Sequence, residues 1–284
     1  MENPVKTHAA RARTATLVVV GPSSRLAEAA SLIVADDDPG AVRIVLISTE
    51  TDGVPPIESQ PDAVAISGLK PEYVNNAIAA VRLSSLPTVV WWRGGQPDAL
   101  DGVAALADRV VLDDEDPWPL WGRAPSQFES TAMSDLRWAR MTRWRAAMAH
   151  FFDLAEVRSA APSLSHLSVT GKDRAQCALY AGWLDASLGW QRRVAVELGP
   201  GKHDAPMEAV VLEGGRTQLA VRLHPAEPCL CAEARVDNQL LASRMISLGT
   251  QGLKELLAEE LRVRSRDLAF ERALISTLSA EPAK

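Results

Sequence analysis

Cysteine, histidine, tyrosine and phenylalanine are all scarce in this chain of 284 residues, which has 3, 5, 2 and 4 of them. A low, odd cysteine count fits a reducing compartment. Cys229 and Cys231 stand two apart on an expected strand, so they share one face about 7 Å apart. They cannot close a disulfide there without distorting the strand. Glu233 and Arg235 share that face, so the pair are either exposed thiols or the cover of a helix. The sequence leaves open a redox role for Cys177, Cys229 or Cys231.

Long apolar runs are missing too. None approaches the roughly 18 residues that cross a bilayer, so no membrane partner is expected. A net charge of −6 runs against nucleic acid as a partner, since a phosphate backbone wants a basic surface. Residues 1–13 are partly basic, but neither an apolar segment of signal-peptide length nor a small-residue cleavage site follows. They read as a disordered tail on a cytoplasmic protein. There is no internal repeat and no low-complexity segment.

Signatures of catalysis are the third absence. The first strand-to-helix turn, Val20-Gly21-Pro22-Ser23-Ser24-Arg25, has one glycine where a dinucleotide fingerprint needs three. A helix N-terminus with two serines still suits a phosphate, so Gly21, Ser23, Ser24 and Arg25 are the phosphate-binding candidates. Gly171-Lys172 and Gly201-Lys202 lack the leading glycine of a P-loop, having His166 and Val196 in its place. His8, His150, His166, His203 and His224 have no second metal-type ligand at helical or hairpin spacing, so no metal site and no cofactor are expected. No serine sits in a Gly-x-Ser-x-Gly elbow; around Ser67 the flanking positions are Ala65 and Leu69. Asp113-Asp114-Glu115-Asp116 is either a solvated turn or a Mg²⁺ site just past a strand.

What the chain does have is regular alternation. Apolar runs at 14–20, 42–48, 62–67, 88–92 and 109–113 alternate with helical patterns, and loops are expected at 36–40 and 50–61. This predicts an α/β domain over residues 14–153, an open, mostly parallel Rossmann-like sheet covered on both faces. After Pro162 the pattern changes. A helix at Arg174–Leu188 is followed by alternating runs at 193–198, 207–212, 217–223, 229–236 and 239–248, with turns at Gly214-Gly215 and Asp237-Asn238. One or two helices over 252–278 close the chain. Residues 154–284 therefore read as an α+β domain with an antiparallel meander.

Tryptophan is the other thing in supply, at 8 residues. Trp91 and Trp92 end the fourth strand. One of them belongs in the core, and the other can join Trp118 and Trp121 in an aromatic surface of the kind that marks a partner site. Ser134 to Arg145 adds Trp138 and Trp144 with Arg137, Arg140, Arg143 and Arg145. Wound as one helix, it sets Trp138, Met141, Trp144 and Met148 along one face with Arg137 and Arg145 beside it. Arginine beside tryptophan is a protein–protein hot-spot composition. The competing reading is a core helix with snorkelling arginines, or a helix that glues two domains.

Asp135-Leu136-Arg137-Trp138-Ala139-Arg140 followed by Trp144-Arg145 resembles the signature of the OpcA family, the glucose-6-phosphate dehydrogenase assembly proteins. Leu86 to Trp92, Ala107 to Asp113, Ala181-Gly182-Trp183-Leu184 and Leu188-Gly189-Trp190 are similar to the same family in the same order, so the resemblance covers roughly residues 85–190. Family members often have proline where this chain has Arg143, which would make the signature two short helices with Thr142 as a cap. The resemblance implies a non-catalytic factor that promotes assembly of glucose-6-phosphate dehydrogenase and raises its activity in the oxidative pentose phosphate pathway. It makes Asp135, Trp138, Arg140, Trp144 and Arg145, with Trp91 and Trp92, the expected partner-binding residues. The alternative is an enzyme or sensor that binds a sugar phosphate or nucleotide at the carboxyl edge of the α/β sheet.

Overall fold

The computed structural model describes residues 14–34, 42–48, 50, 63–249, 252–263 and 265–280. The tail expected over 1–13, the loop at 36–40 and residues 51–61 of the next loop lie outside them. The chain divides into two compact units, residues 1–115 with 129–132, and residues 116–128 with 133–284. The Trp/Arg stretch, expected in the first unit, therefore falls in the second. No helix among the described residues is long and apolar enough to cross a membrane.

The first unit is built on β1 (Ala15–Gly21), β2 (Val42–Ser48), β3 (Val64–Ile66), β4 (Thr88–Trp92) and β5 (Arg109–Leu112), with α1 (Ser23–Val34), α2 (Val74–Val81) and α3 (Leu100–Ala104) between strands. A sixth strand, β6 (Ala132–Asp135), completes the order β3-β2-β1-β4-β5-β6. The pairs among β1 to β5 are all parallel. Val18, Val19 and Val20 are fully buried, as are Val45, Leu46, Ile47, Val110 and Val111. Strands with no wet face need helices on both sides, so these β-branched runs form a parallel sheet and not a hairpin. The strand order reverses between β1 and β4, which makes the space beyond their carboxyl ends the natural binding crevice of the fold.

The second unit starts with α4 (Trp118–Arg123) and resumes with α5 (Leu136–Arg140), α6 (Thr142–Phe151) and α7 (Ala155–Ala160). Then come β7 (His166–Thr170), α8 (Arg174–Leu188), β8 (Ala195–Gly199), β9 (Ala209–Gly214), β10 (Thr217–Leu223), β11 (Cys229–Val236), β12 (Gln239–Ser247), α9 (Leu253–Arg262) and α10 (Leu268–Ala280). The sheet order is β12-β11-β10-β9-β7-β8. From β9 to β12 it is the expected antiparallel meander. β7 and β8 are parallel, because α8 lies between them in sequence and supplies the crossover a parallel pair requires.

Along β10, Leu219 and Val221 are buried on one face, while on the other Gln218 and Arg222 are not and the small Ala220 between them is covered, so one face is packed and the other is mostly wet. The β11–β12 turn is Asp237-Asn238, both residues at positive φ (+52° and +62°), as a tight hairpin demands. The β9–β10 turn sits one residue later than expected, at Gly215-Arg216, since Gly214 still pairs with Thr217. α8 is capped by the Asp173 carboxylate, which accepts from the Gln176 amide at 3.0 Å. Where α8 crosses α10, a Cβ on Gly182 would lie 2.1 Å from Thr277 Oγ1 and 2.5 Å from the Ala273 carbonyl oxygen.

Candidate functional site

In the first unit, the crevice beyond β1 and β4 is filled by two arginines. Arg93, just past β4 and 5% exposed, pairs with Glu28 at 2.7 Å and with Asp113 at 3.0 Å. Its Nη1 donates to the Arg25 carbonyl at 2.7 Å, and Arg25 Nη1 donates back to the carbonyls of Arg93 at 3.1 Å and Asp113 at 2.7 Å. Arg25 Nη2 also reaches Glu115 at 2.6 Å. A Cβ on Gly21 would come 3.2 Å from Arg93 Cβ, so the close approach that a glycine allows a pyrophosphate is already taken by Arg93.

The α1 N-terminus is also occupied. The Ser23 amide donates to Glu50 Oε2 at 2.8 Å, and the Ser23 and Ser48 hydroxyls lie 3.1 Å apart. A carboxylate from the end of β2 thus stands where a phosphate would sit, and favours the helix dipole in the same way. The residues expected to bind a phosphate, Gly21, Ser23, Ser24 and Arg25, are placed as follows. Gly21 faces Arg93, Ser23 faces Glu50, Ser24 points to solvent, and Arg25 is spent on two carbonyls and Glu115. Asp113 and Glu115 serve here as counter-charges to the two arginines.

Trp91 and Trp92 are both fully buried, which corrects the expectation that one of them joins a surface. Consecutive residues of β4 point to opposite faces of the sheet, and both faces are covered. The Arg93 guanidinium lies 4.5 Å from the Trp91 ring centroid. Gly95, at φ +156°, packs on the Trp92 ring so closely that a Cβ would approach it to 2.7 Å.

In the second unit the Trp/Arg stretch is two helices, α5 and α6, with Met141 between them at φ −84°, ψ −2°. Thr142 is the first residue of α6 and Met141 its cap. Asp135 caps α5, accepting from the Arg137 amide at 2.8 Å, and its other oxygen accepts from Trp121 Nε1 at 2.9 Å. Arg137 reaches Asp173 at 2.8 Å. Ser134 donates to Glu260 at 2.6 Å, and Trp138 Nε1 donates to Asp267 at 2.7 Å. The Trp138 ring meets Phe270 edge-on at 5.7 Å between centroids. Arg145 covers that ring, its Cζ 3.5 Å from the centroid, and its Nη2 lies 3.3 Å from both the Trp138 carbonyl and Thr142 Oγ1. Burial pulls the Arg145 pKa down, and the Asp267 carboxylate opposes that shift. Tyr180 donates to the Trp144 carbonyl at 3.1 Å, and burial pushes its phenol well above the usual range.

Asp135, Trp138 and Trp144 are therefore interior residues, at 0%, 3% and 3% exposure, and do not themselves face a partner. Indoles carry the largest apolar surface of any side chain, and here an aspartate satisfies the polar edge of Trp121 and of Trp138 without water. Arg140 and Arg145 are half-buried, and Arg143 is exposed with Ala146, Ala149 and His150 along the outer side of α6.

Sequence reasoning missed Glu260, Asp267 and Phe270, which lie more than a hundred residues from the helices they hold. It also passed over a cluster at the β10–β11 turn. Among the described residues, His224, Glu227 and Cys229 form the group of metal-type ligands whose donor atoms all lie within 4.8 Å of one another. The signal was the pairing of His224 opposite Cys229 across a hairpin.

Residues 131–274, more than half of the chain, match the family described as the C-terminal domain of the glucose-6-phosphate dehydrogenase subunit. The chain belongs to this family. Curated relatives named OxPP cycle protein OpcA match as well, that of Synechocystis at 29% identity over 129 residues and that of Nostoc punctiforme at 27% over 130 residues. Each alignment takes in 42% of this chain, and 27% and 28% of the respective relative. The chain thus spans little more than a quarter of the length of those relatives. The family segment runs from β6 into α10, and so contains Asp135, Trp138, Arg145, Glu260, Asp267 and Phe270.

Solved structures with a similar fold include a mutant of KijD10, a 3-ketoreductase from Actinomadura kijaniata in complex with TDP-benzene and NADP. It has a TM-score of 0.56 at 9% identity, covering 94% of this chain and 95% of that one. A dehydrogenase from Chromobacterium violaceum has a TM-score of 0.54 at 11% identity, covering 95% and 93%. At such identities the likeness is one of fold, a Rossmann-type unit followed by a second sheet.

Proposed function

We propose that this chain is a non-catalytic factor that binds glucose-6-phosphate dehydrogenase, promotes its assembly and raises its activity in the oxidative pentose phosphate pathway. The observation that carries this reading is the closed crevice. In this Rossmann-type unit the switch point is taken by Arg25 and Arg93 and the first helix is capped by Glu50, which speaks against the dinucleotide of an oxidoreductase there. Family membership supports the choice of partner, and the naming of the relatives supports the choice of pathway. The mechanism is linkage, in which a protein that prefers the assembled or active enzyme shifts it that way by the difference in affinity alone.

Within the signature stretch, Arg140 and Arg143 are the residues assigned to the partner-facing side. Asp135, Trp138, Trp144 and Arg145 act by fixing the helices on which those arginines stand, and Trp91 and Trp92 by filling the first unit. The alternative, a sugar-phosphate or nucleotide sensor, has the Glu50 carboxylate against it.

The test is the rate of glucose-6-phosphate dehydrogenase from the same organism against substrate concentration, with and without the full chain. A lower apparent KM, a higher kcat or a larger assembly on sizing is expected. Arg143→Glu should blunt that effect while far-UV and near-UV circular dichroism stay unchanged. An enzyme whose rate and elution ignore this chain overturns the reading.

A further inference from the structure

The turn between β10 and β11 reads His224-Pro225-Ala226-Glu227-Pro228-Cys229, and it brings three different metal-ligand chemistries to one point. Donor atoms of His224, Glu227 and Cys229 all lie within 4.8 Å of one another, and Cys229 Sγ is 4.0 Å from Glu227 Oε2. Two prolines fix φ on either side of Glu227, and the hairpin is closed by the His224 amide donating to the Cys229 carbonyl at 2.9 Å. The Cys229 amide donates to the Glu227 carbonyl at 2.8 Å. The backbone that presents the three side chains is therefore set before any ligand arrives, and little conformational entropy is left to lose.

We propose that His224, Glu227 and Cys229 form a binding site for a zinc-class divalent cation, with the fourth position left to water. Imidazole, carboxylate and thiolate together are the donor set that zinc accepts, whereas magnesium and calcium take oxygen alone. Ligand atoms around a tetrahedral zinc lie about 3.5 Å apart, given metal–ligand distances near 2.0–2.3 Å. The exposed Glu227 side chain can turn to close that gap. Cys229 is 7% exposed, which keeps bulk water off the sulfur, while His224 is half-buried and leaves the ion a way in.

His224 Nδ1 now accepts from the amides of Ala226 at 3.3 Å and Glu227 at 3.0 Å. Those two bonds hold the imidazole against the turn. The effect of binding is to tie the β10–β11 hairpin to a bound cation. The proposal is independent of the partner reading above.

The experiment uses the full chain, stripped with a chelator and titrated with Co²⁺ and then with Zn²⁺ against a chromophoric chelator. One equivalent of Co²⁺ should give the near-ultraviolet charge-transfer band of a thiolate–cobalt bond, and one equivalent of Zn²⁺ should remove it. Cys229→Ser should abolish the band, and His224→Gln and Glu227→Gln should each weaken Zn²⁺ binding about tenfold or more, a loss at least as large as that for removing a supporting residue. The last two substitutions lie on the turn and test the site even if Cys229→Ser misfolds. Cys177→Ser should keep the band. Absence of a stoichiometric band, or a band that survives all three turn substitutions, overturns the proposal.

Discussion

The guanidinium carbon of Arg145 stands over Trp138, 3.5 Å from the ring centroid, while the indole N–H donates to Asp267 at 2.7 Å. One ring is thus held on its face by a cation and at its edge by an anion. Cation–π contacts are worth about 1–2 kcal/mol when partly desolvated. Arg145→Ala should therefore lower unfolding stability by about that amount, and Arg145→Lys by less, as read from urea midpoints. Trp138→Ala should cost about 3–5 kcal/mol, the usual loss for a buried indole. Equal, negligible shifts for the two Arg145 variants would show that the stacking contributes nothing.

Asp135 is completely buried, accepts from the Arg137 amide and from the Trp121 indole, and pairs with Arg137 Nη1 at 3.5 Å. Removing it leaves a helix uncapped and an indole N–H unpaired. Asp135→Ala should destabilise the chain by about 3 kcal/mol, from about 1 kcal/mol for the cap and about 1–3 kcal/mol for the orphaned donor. Asp135→Asn should recover part of this. Chemical denaturation followed by tryptophan fluorescence measures both, and a loss under about 1 kcal/mol for the alanine variant would contradict the assignment.

Gly182 is required by contact. Its missing Cβ would sit 2.1 Å from Thr277 Oγ1, against the backbone of α10. Gly182→Ala should push the helices apart and cost about 1–3 kcal/mol or more, despite the higher helix propensity of alanine. A thermal midpoint equal to or above that of the parent chain would refute the close crossing.

Cys177 sits inside α8, and burial pushes its thiol up to about 12, with Asp173 adding to the shift. A group whose pKa is higher folded than unfolded contributes stability below the unfolded value and loses it as pH rises toward the folded one. The unfolded thiol titrates near 9. Stability should therefore fall between about pH 9 and pH 12, where Tyr180 acts in the same sense. Cys177→Ala should flatten part of that slope. Thiol-labelling of the native chain at neutral pH should spare Cys177 until the chain unfolds.

The crevice makes a prediction of its own. NADPH added to the full chain should give no fluorescence enhancement and no stabilisation. Glu50→Ala alone should not change this, because Arg93 still fills the space beside Gly21. Binding by the parent chain at micromolar NADPH would refute the closed site.

Much of the scaffold was legible in the sequence because it rests on local rules. Continuous valine and isoleucine runs at 15–20, 44–47 and 110–111 specify buried parallel strands, and Asp237-Asn238 specifies a turn. What was not legible depended on partners far along the chain. Nothing near Trp138 announces that Asp267 and Phe270 will meet it. Nothing near Ser23 announces that Glu50 will cover its amide. The tryptophans read as surface because arginine interleaves them, yet arginines that stack on a ring or bind a carboxylate can line a core. The parallel pairing of β7 with β8 was hidden because alternation reports a wet face and not strand direction.

Arg25 and Arg93 each donate to the other's carbonyl. Shortening Arg25 leaves Glu115 without that counter-ion, and shortening Arg93 does the same to Glu28 and Asp113, while the backbone carbonyl each one caps loses that donor. Opening the crevice without stranded charge means changing both arginines and their carboxylates together. Each half of the lock therefore protects the other, since a substitution on one side strands charge on its own side without freeing the space held by its neighbour.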